Sequence, residues 1–217
     1  MRSYNCVIFD LDGTLTDPGE GITRSVAYAL GKYGYAVEDL RSLNSFIGPP
    51  LRESFQDYCG FDADTACEAI MYYRERFLDK GWRENAPYEG IFGLLQALTE
   101  KGKTLIVATS KPEPFAVRIL EHFGFAKYFS LICGASLNEL DDHSKAYIIA
   151  QALSRAGNID PRDAVMVGDR AQDIAGAHAN GMKAIGVLYG YGSRKELTTV
   201  AADCLAETVE DLKALLI

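Results

Sequence analysis

The sequence predicts an α/β protein: a doubly wound, Rossmann-like parallel sheet with an inserted small α-helical cap domain. Three observations lead there. Short apolar runs recur along the chain, and between most of them apolar residues fall three and four apart. The segment 18–82 keeps the helical spacing but holds no convincing strand. Strands that are apolar throughout, separated by helices, belong to a parallel sheet covered on both faces, since such strands have no side for water.

Each element follows from its own pattern. The first strand is Cys6–Phe9 (CVIF), closed by Asp10. Later strands are expected at 104–108 (TLIVA), 131–133 with its flanks, 164–167 (AVMV) and 184–188 (AIGVL). Three helical stripes separate them: Ile91, Leu94, Leu95 and Leu98; Phe115, Ile119, Leu120 and Phe123; Ile148, Ile149, Ala152 and Leu153. In the insertion, Ile22, Val26, Leu30 and Tyr33 share one helix face, and Gly34 is expected to stop that helix. Helices are expected at 50–58 and at 62–79, the latter capped by Asp62 or Asp64. The turn Ala86-Pro87-Tyr88-Glu89-Gly90 marks the return and suits a hinge. Thr208 to Asp211 reads as a capping box that opens a terminal helix. The segments 1–17 and 83–217 then form the α/β core, and 18–82 an inserted helical domain.

Composition narrows the function. With 48% hydrophobic and 24% charged residues in 217, the chain is an ordinary globular one, which excludes disorder. Acidic residues outnumber basic ones 30 to 22, so nucleic-acid polymers are poor partners, because their affinity comes from Lys and Arg on phosphates. A small anion stays possible where cations converge. No apolar run reaches the ~18–20 residues of a membrane span. The start, Met1-Arg2-Ser3-Tyr4-Asn5, does not read as a signal peptide. The 5 cysteines are scattered and show no zinc spacing. A cytoplasmic protein is expected, as a monomer or weak dimer with no membrane partner.

The chemistry concentrates at strand ends. Asp10-Leu11-Asp12-Gly13-Thr14 follows the first strand directly, and Gly13 permits a turn that aims both carboxylates at one pocket. Read alone, the run also fits a loop that caps the next helix. A calcium loop fits less well, since the twelfth position from Asp10 is Gly21, not Glu. A second pair, Asp169 and Asp173, stands at the end of a later strand and one helical turn on, which also suits an N-cap. Four gathered carboxylates repel unless a cation joins them, and all-oxygen ligation suits Mg²⁺. Thr109 and Ser110 put hydroxyls at another strand end. Lys145 opens a helix, where a cation opposes the dipole, so an anionic ligand explains it better than stability does.

Those motifs give the sequence a resemblance. Asp10-x-Asp12-Gly13-Thr14, Thr109 after an apolar strand, Lys145, and Gly168-Asp169-x-x-x-Asp173 occur in order, and over essentially its whole length the chain resembles the haloacid dehalogenase-like superfamily of phosphohydrolases. Residues 18–82 look like that family's mobile helical cap. Asp17-Pro18, the loop Ile47-Gly48-Pro49-Pro50-Leu51-Arg52 and Gly190-Tyr191-Gly192 look closest to phosphoglycolate-phosphatase-like proteins, in particular those labelled 5′-nucleotidases.

The resemblance implies roles. Asp10 is the nucleophile that forms an aspartyl-phosphate, and Asp12 the general acid and base. Mg²⁺ is held by Asp10, the backbone carbonyl of Asp12 and Asp169, with Asp173 orienting its waters. Lys145, Thr109 and Ser110 hold phosphoryl oxygens. Arg52, in the cap loop, is a candidate substrate contact. The implied activity is hydrolysis of a small phosphorylated metabolite, 5′-nucleotidase-like first and phosphoglycolate phosphatase second. A β-phosphoglucomutase-type phosphomutase fits the same motifs. A dehalogenase would lack Asp12, and a non-catalytic phosphate-binding module would be expected to have lost one of these residues. Elsewhere the plain reading is favoured: His122, His143 and His178 as surface or packing positions, Tyr72, Tyr73 and Phe77 as packing, and Arg74-Glu75-Arg76 as a solvated face.

Overall fold

The apolar run Cys6–Phe9 forms β1, and all of it is buried. A strand with no polar face must be covered on both sides, and β1 lies in the middle of a six-stranded sheet. The structure, a computed structural model, describes residues 4–217. Residues 1–3, which belong to the segment assigned to the core and to the start read as lacking a signal peptide, lie outside the described residues.

After β1 come a two-residue strand β2 (Thr16–Asp17), helices α1 (Gly19–Gly31), α2 (Leu51–Cys59) and α3 (Ala63–Asp79), and a second short strand β3 (Ala86–Pro87). Helix and strand then alternate: α4 (Ile91–Glu100), β4 (Thr104–Pro112), α5 (Glu113–His122), β5 (Leu131–Ala135), α6 (Lys145–Arg155), β6 (Ala164–Gly168), α7 (Ala171–Ala179), β7 (Lys183–Val187), α8 (Arg194–Thr199), β8 (Cys204–Ala206) and α9 (Val209–Leu216). The main sheet runs β5-β4-β1-β6-β7-β8 with every pairing parallel. That is the doubly wound order, and it reverses direction at β1, where a crevice opens beyond the carboxyl ends of the strands.

Alternation along β1 divides the core. Val7 and Phe9 pack on the side of α4, α5 and α9, whereas Cys6 and Ile8 face α6 and α7. The sequence reading missed β8, which is short and begins on an exposed cysteine. It also missed β2 and β3, two residues each and too short to show a period.

The helical segment ends its first helix earlier than expected. α1 stops at Gly31, and the chain turns on to Gly34 at φ +82°. Asp62 caps α3, accepting from the Thr65 N–H at 2.8 Å. The capping box at Thr208 and Asp211 forms as read, with both bonds at 3.1 Å. The run Arg74-Glu75-Arg76 is not simply a solvated face, because Arg76 pairs with Glu84 through two 2.8 Å bonds and Arg74 pairs with Glu139.

Both crossings between the helical segment and the sheet are tied together. β2 and β3 pair antiparallel, Thr16 with Pro87 and Asp17 with Ala86. Beside this ribbon Trp82 lies under the Arg118 guanidinium, 3.7 Å from its ring centre, with the His122 ring edge-on at 5.3 Å.

Candidate active site

Strand register brings the site residues together. Phe9 is level with Val107 on one side and Val167 on the other, so the residues that follow each strand emerge at one edge. Asp10 comes next after Phe9 and donates its N–H to Val167 O at 2.9 Å. Asp169 follows the end of β6, and Thr109 lies two residues beyond Val107. All three are buried.

Lys145 joins the acidic residues. Ser144 caps α6 by accepting from the Tyr147 N–H at 3.3 Å, which places Lys145 in the first turn. Its Nζ lies 2.8 Å from Asp10 Oδ1 and 2.9 Å from Asp173 Oδ1, and donates to Ala108 O at 3.2 Å. Burial alone would pull the lysine's pKa down, but Asp10 and Asp173 outweigh it and hold it above its ordinary value. A cation at a helix N-terminus is unfavourable to the dipole, and here two carboxylates offset that.

The carboxylates leave room for a cation. One oxygen from each of Asp10, Asp169 and Asp173 lies within 4.8 Å of the others, and all three residues are buried. Burial pushes the Asp169 carboxyl well above the usual range, with Asp173 and Asp10 adding to it. Burial likewise raises Asp173, against the opposing pull of Lys145. Asp10 Oδ1 and Asp173 Oδ1 face no polar partner but the Lys145 ammonium, so both keep open lone pairs. With all four ionised, Asp10, Asp12, Asp169 and Asp173 would set four negative charges against two positive ones on Lys111 and Lys145, all buried, which is why Asp12, Asp169 and Asp173 are pushed toward the neutral form. The all-oxygen donor set fits a hard divalent cation, which would supply the missing positive charge.

Glycines let this cluster close. Gly13 has φ +83°, and a Cβ there would stand 2.3 Å from Asp169 Oδ2. A Cβ on Gly190 would stand 2.2 Å from Gly13 O. Tyr191 donates its N–H to Asp169 Oδ2 at 2.7 Å and its hydroxyl to Asp17 Oδ1. Thus one residue links a cluster carboxylate to the first crossing into the helical segment. The sequence showed Gly190-Tyr191-Gly192 only as a mark of likeness, because its two contacts reach back 22 and 174 residues.

Asp12 turns elsewhere. Its Oδ2 lies 2.8 Å from Lys111 Nζ, and its side chain is not among the three carboxylates that converge. Burial raises the Asp12 carboxyl, and Lys111 works against that rise. Thr109 Oγ1 accepts from the Lys111 N–H at 3.2 Å, so its hydroxyl shapes the turn that delivers the lysine.

Asp12, Ser110 and Lys111 wall a cavity of about 50 Å³ beneath the helical segment. Phe46 and Phe77 give it apolar sides, and Arg74, Glu139 and His143 a polar end. Arg52 is not part of that wall: its Nη1 donates to Glu139 O at 3.2 Å, and its Nε is buried without a partner. Sequence reasoning missed Lys111, although it stands beside the hydroxyls it singled out. It also missed Arg74, Glu139 and His143, which meet across 65 residues and leave no local signal.

Comparison with known proteins agrees with this geometry. Residues 7–187 match the profile of the family described as haloacid dehalogenase-like hydrolase. A 5′-nucleotidase of Pseudomonas aeruginosa is 48% identical over 194 residues, covering 89% of this chain and 87% of that protein. The tyrosine-protein kinase PtkA of Mycobacterium tuberculosis is 41% identical over 216 residues, covering 98% of this chain and 72% of that one. The crystal structure of a predicted phosphatase from Clostridium acetobutylicum superposes with a TM-score of 0.96 at 49% identity, over 99% of both chains.

Proposed function

The chain belongs to the haloacid dehalogenase-like hydrolase family, as a phosphatase of that type, and on this footing we propose that it is a Mg²⁺-dependent phosphomonoesterase whose preferred substrates are nucleoside 5′-monophosphates and whose intermediate is an aspartyl-phosphate on Asp10. The observation that carries this reading is the split between two carboxylates two residues apart. Asp10 is held by Lys145 inside the acidic cluster, and Asp12 is turned onto Lys111 at the cavity wall. Two environments give two roles.

In the first displacement an Asp10 carboxylate oxygen bonds to phosphorus as the ester O–P bond breaks, and Asp12 gives its proton to the departing oxygen. In the second, Asp12 takes a proton from water, the water oxygen bonds to phosphorus, and the Asp10–phosphorus bond breaks to release phosphate. Lys145 and the hydroxyls of Thr109 and Ser110 hold phosphoryl oxygens in place. When bound by Asp10, Asp169 and the Asp12 carbonyl, with Asp173 beside them, Mg²⁺ supplies positive charge that offsets repulsion between nucleophile and phosphate.

Residues 18–82 act as a cap over a core made of 1–17 and 83–217. A cavity of about 50 Å³ has room for only a few waters. A nucleotide therefore enters when the cap swings on the crossings that β2 and β3 tie together. The enzyme works in the cytoplasm, as a monomer or weak dimer, on small phosphorylated metabolites.

The test is a phosphomonoester panel with Mg²⁺, scored as kcat/KM and as free phosphate released. Nucleoside 5′-monophosphates should lead, and Asp10→Asn should abolish turnover of every ester. A preference for phosphoglycolate would overturn the substrate assignment; isomer formation without phosphate release would point to a mutase; activity retained by Asp10→Asn would sink the mechanism.

A further inference from the structure

The cavity over Asp12 ends on a polar cluster that no step of the hydrolysis uses. His143 stands in its wall with a side chain only 10% exposed. Its Nδ1 faces Glu139 Oε2 at 3.9 Å, and its Nε2 is buried with no hydrogen-bond partner. A buried ring nitrogen left unpaired costs free energy unless something else fills it.

The charges around it say what can. Two cations line the cavity, and each is already paired: Lys111 with Asp12, and Arg74 with Glu139. Glu139 is held further by Arg52 on its carbonyl, so it is a fixed anion beside the imidazole. Outside the wall, Glu53 of α2 has both Asp142 and His143 as electrostatic neighbours. A leaving group that bears a carboxylate would meet Glu139 with no unpaired cation in the cavity wall to receive it, since Arg52 stands outside that wall on Glu139 O. An uncharged leaving group has no such difficulty. In the tautomer whose Nδ1–H points to Glu139, Nε2 is left as an acceptor.

We propose that His143 is the specificity-determining residue of this site, accepting at Nε2 a hydrogen bond from a hydroxyl or amine on an uncharged leaving group of the nucleoside class. The inference rests on the hydrolase reading and deepens it, since it explains why a nucleotide is preferred to an ester whose leaving group is itself an acid. Arg74 acts through Glu139 as a positioning residue. It also donates to Leu137 O at 3.2 Å, so α3 holds the loop that carries His143.

The experiment compares kcat/KM for uridine 5′-monophosphate with that for p-nitrophenyl phosphate, whose leaving group has no donor at its far end. Because each protein sample meets both substrates, a loss of folded fraction cancels in the ratio. His143→Leu should lower the ratio about tenfold, mainly through KM, the worth of one buried hydrogen bond. His143→Gln, whose amide oxygen accepts, should recover most of it. An unchanged ratio in His143→Leu would overturn the proposal, as would a wild-type preference for phosphoglycolate over nucleotides. Failure of the hydrolase reading shows separately, as a wild-type protein that releases phosphate from neither substrate.

Discussion

Lys111 Nζ lies 2.8 Å from Asp12 Oδ2, and both side chains are more than nine-tenths buried. The Phe77 ring of α3 lies 4.7 Å from the same ammonium, so the helical segment closes over the pair. Breaking a buried pair strands the other charge, which costs about 3–5 kcal/mol, whereas removing both charges costs far less. Lys111→Met should therefore destabilise strongly in urea, and adding Asp12→Asn should restore a large part of the loss. Simple additivity of the two substitutions would show that the pair is not coupled.

Gly13→Ala forces a methyl group to within 2.3 Å of Asp169 Oδ2 at a backbone angle of φ +83°. Either the loop or the carboxylate must shift. The expected result is a loss of at least about 100-fold in kcat/KM, since positioning errors near 1 Å cost about that much. Steady-state kinetics beside a thermal melt will separate this from simple unfolding.

Three buried carboxylates that converge beside one lysine predict that Mg²⁺ stabilises the fold as well as the reaction. At about 100 times its Kd a ligand adds about 2.7 kcal/mol, or roughly 5–10 °C in Tm for a chain of this size. A calorimetric scan with and without Mg²⁺ measures the rise, and Asp169→Asn should remove most of it. Calcium should raise Tm while supporting less turnover, because its coordination is less strict.

Asp203 gives an acid-limb prediction away from the site. It accepts from the Ala184 N–H at 2.9 Å, from Lys183 at 2.6 Å and pairs with His178 at 3.0 Å. Burial alone would raise its pKa, but these bonds outweigh burial and hold its carboxyl below the ordinary aspartate value. A carboxyl with a lowered folded pKa stabilises fully above its unfolded pKa and loses that contribution as pH falls through the folded one. Wild type should thus exceed Asp203→Asn in Tm at pH 7, and the gap should close below about pH 4.

Much of this was legible in the residues. Asp10, Asp12 and Asp169 stood just past the ends of apolar strands, with Asp173 and Lys145 in the first turns of helices, and strand ends in a parallel sheet converge by register, as Phe9 with Val107 and Val167 shows. Local periodicity also gave α2, α3 and most of α1. What stayed hidden depends on distant contacts. Lys111 gains its meaning only when Asp12 is turned toward it, and Arg74 reads as a surface cation until Glu139 arrives from the core. The strands β2 and β3 exist because the two crossings pair with each other, which no local pattern records.

The indole clamped beside the ribbon has a practical meaning. Trp82 is the single tryptophan among 217 residues, and its neighbours Arg118 and His122 both belong to α5, on the sheet side of the crossing. The chain thus carries its own optical gauge at the joint. Any swing of the helical segment that draws the indole off the guanidinium alters its emission, so opening can be timed by stopped-flow with no label attached.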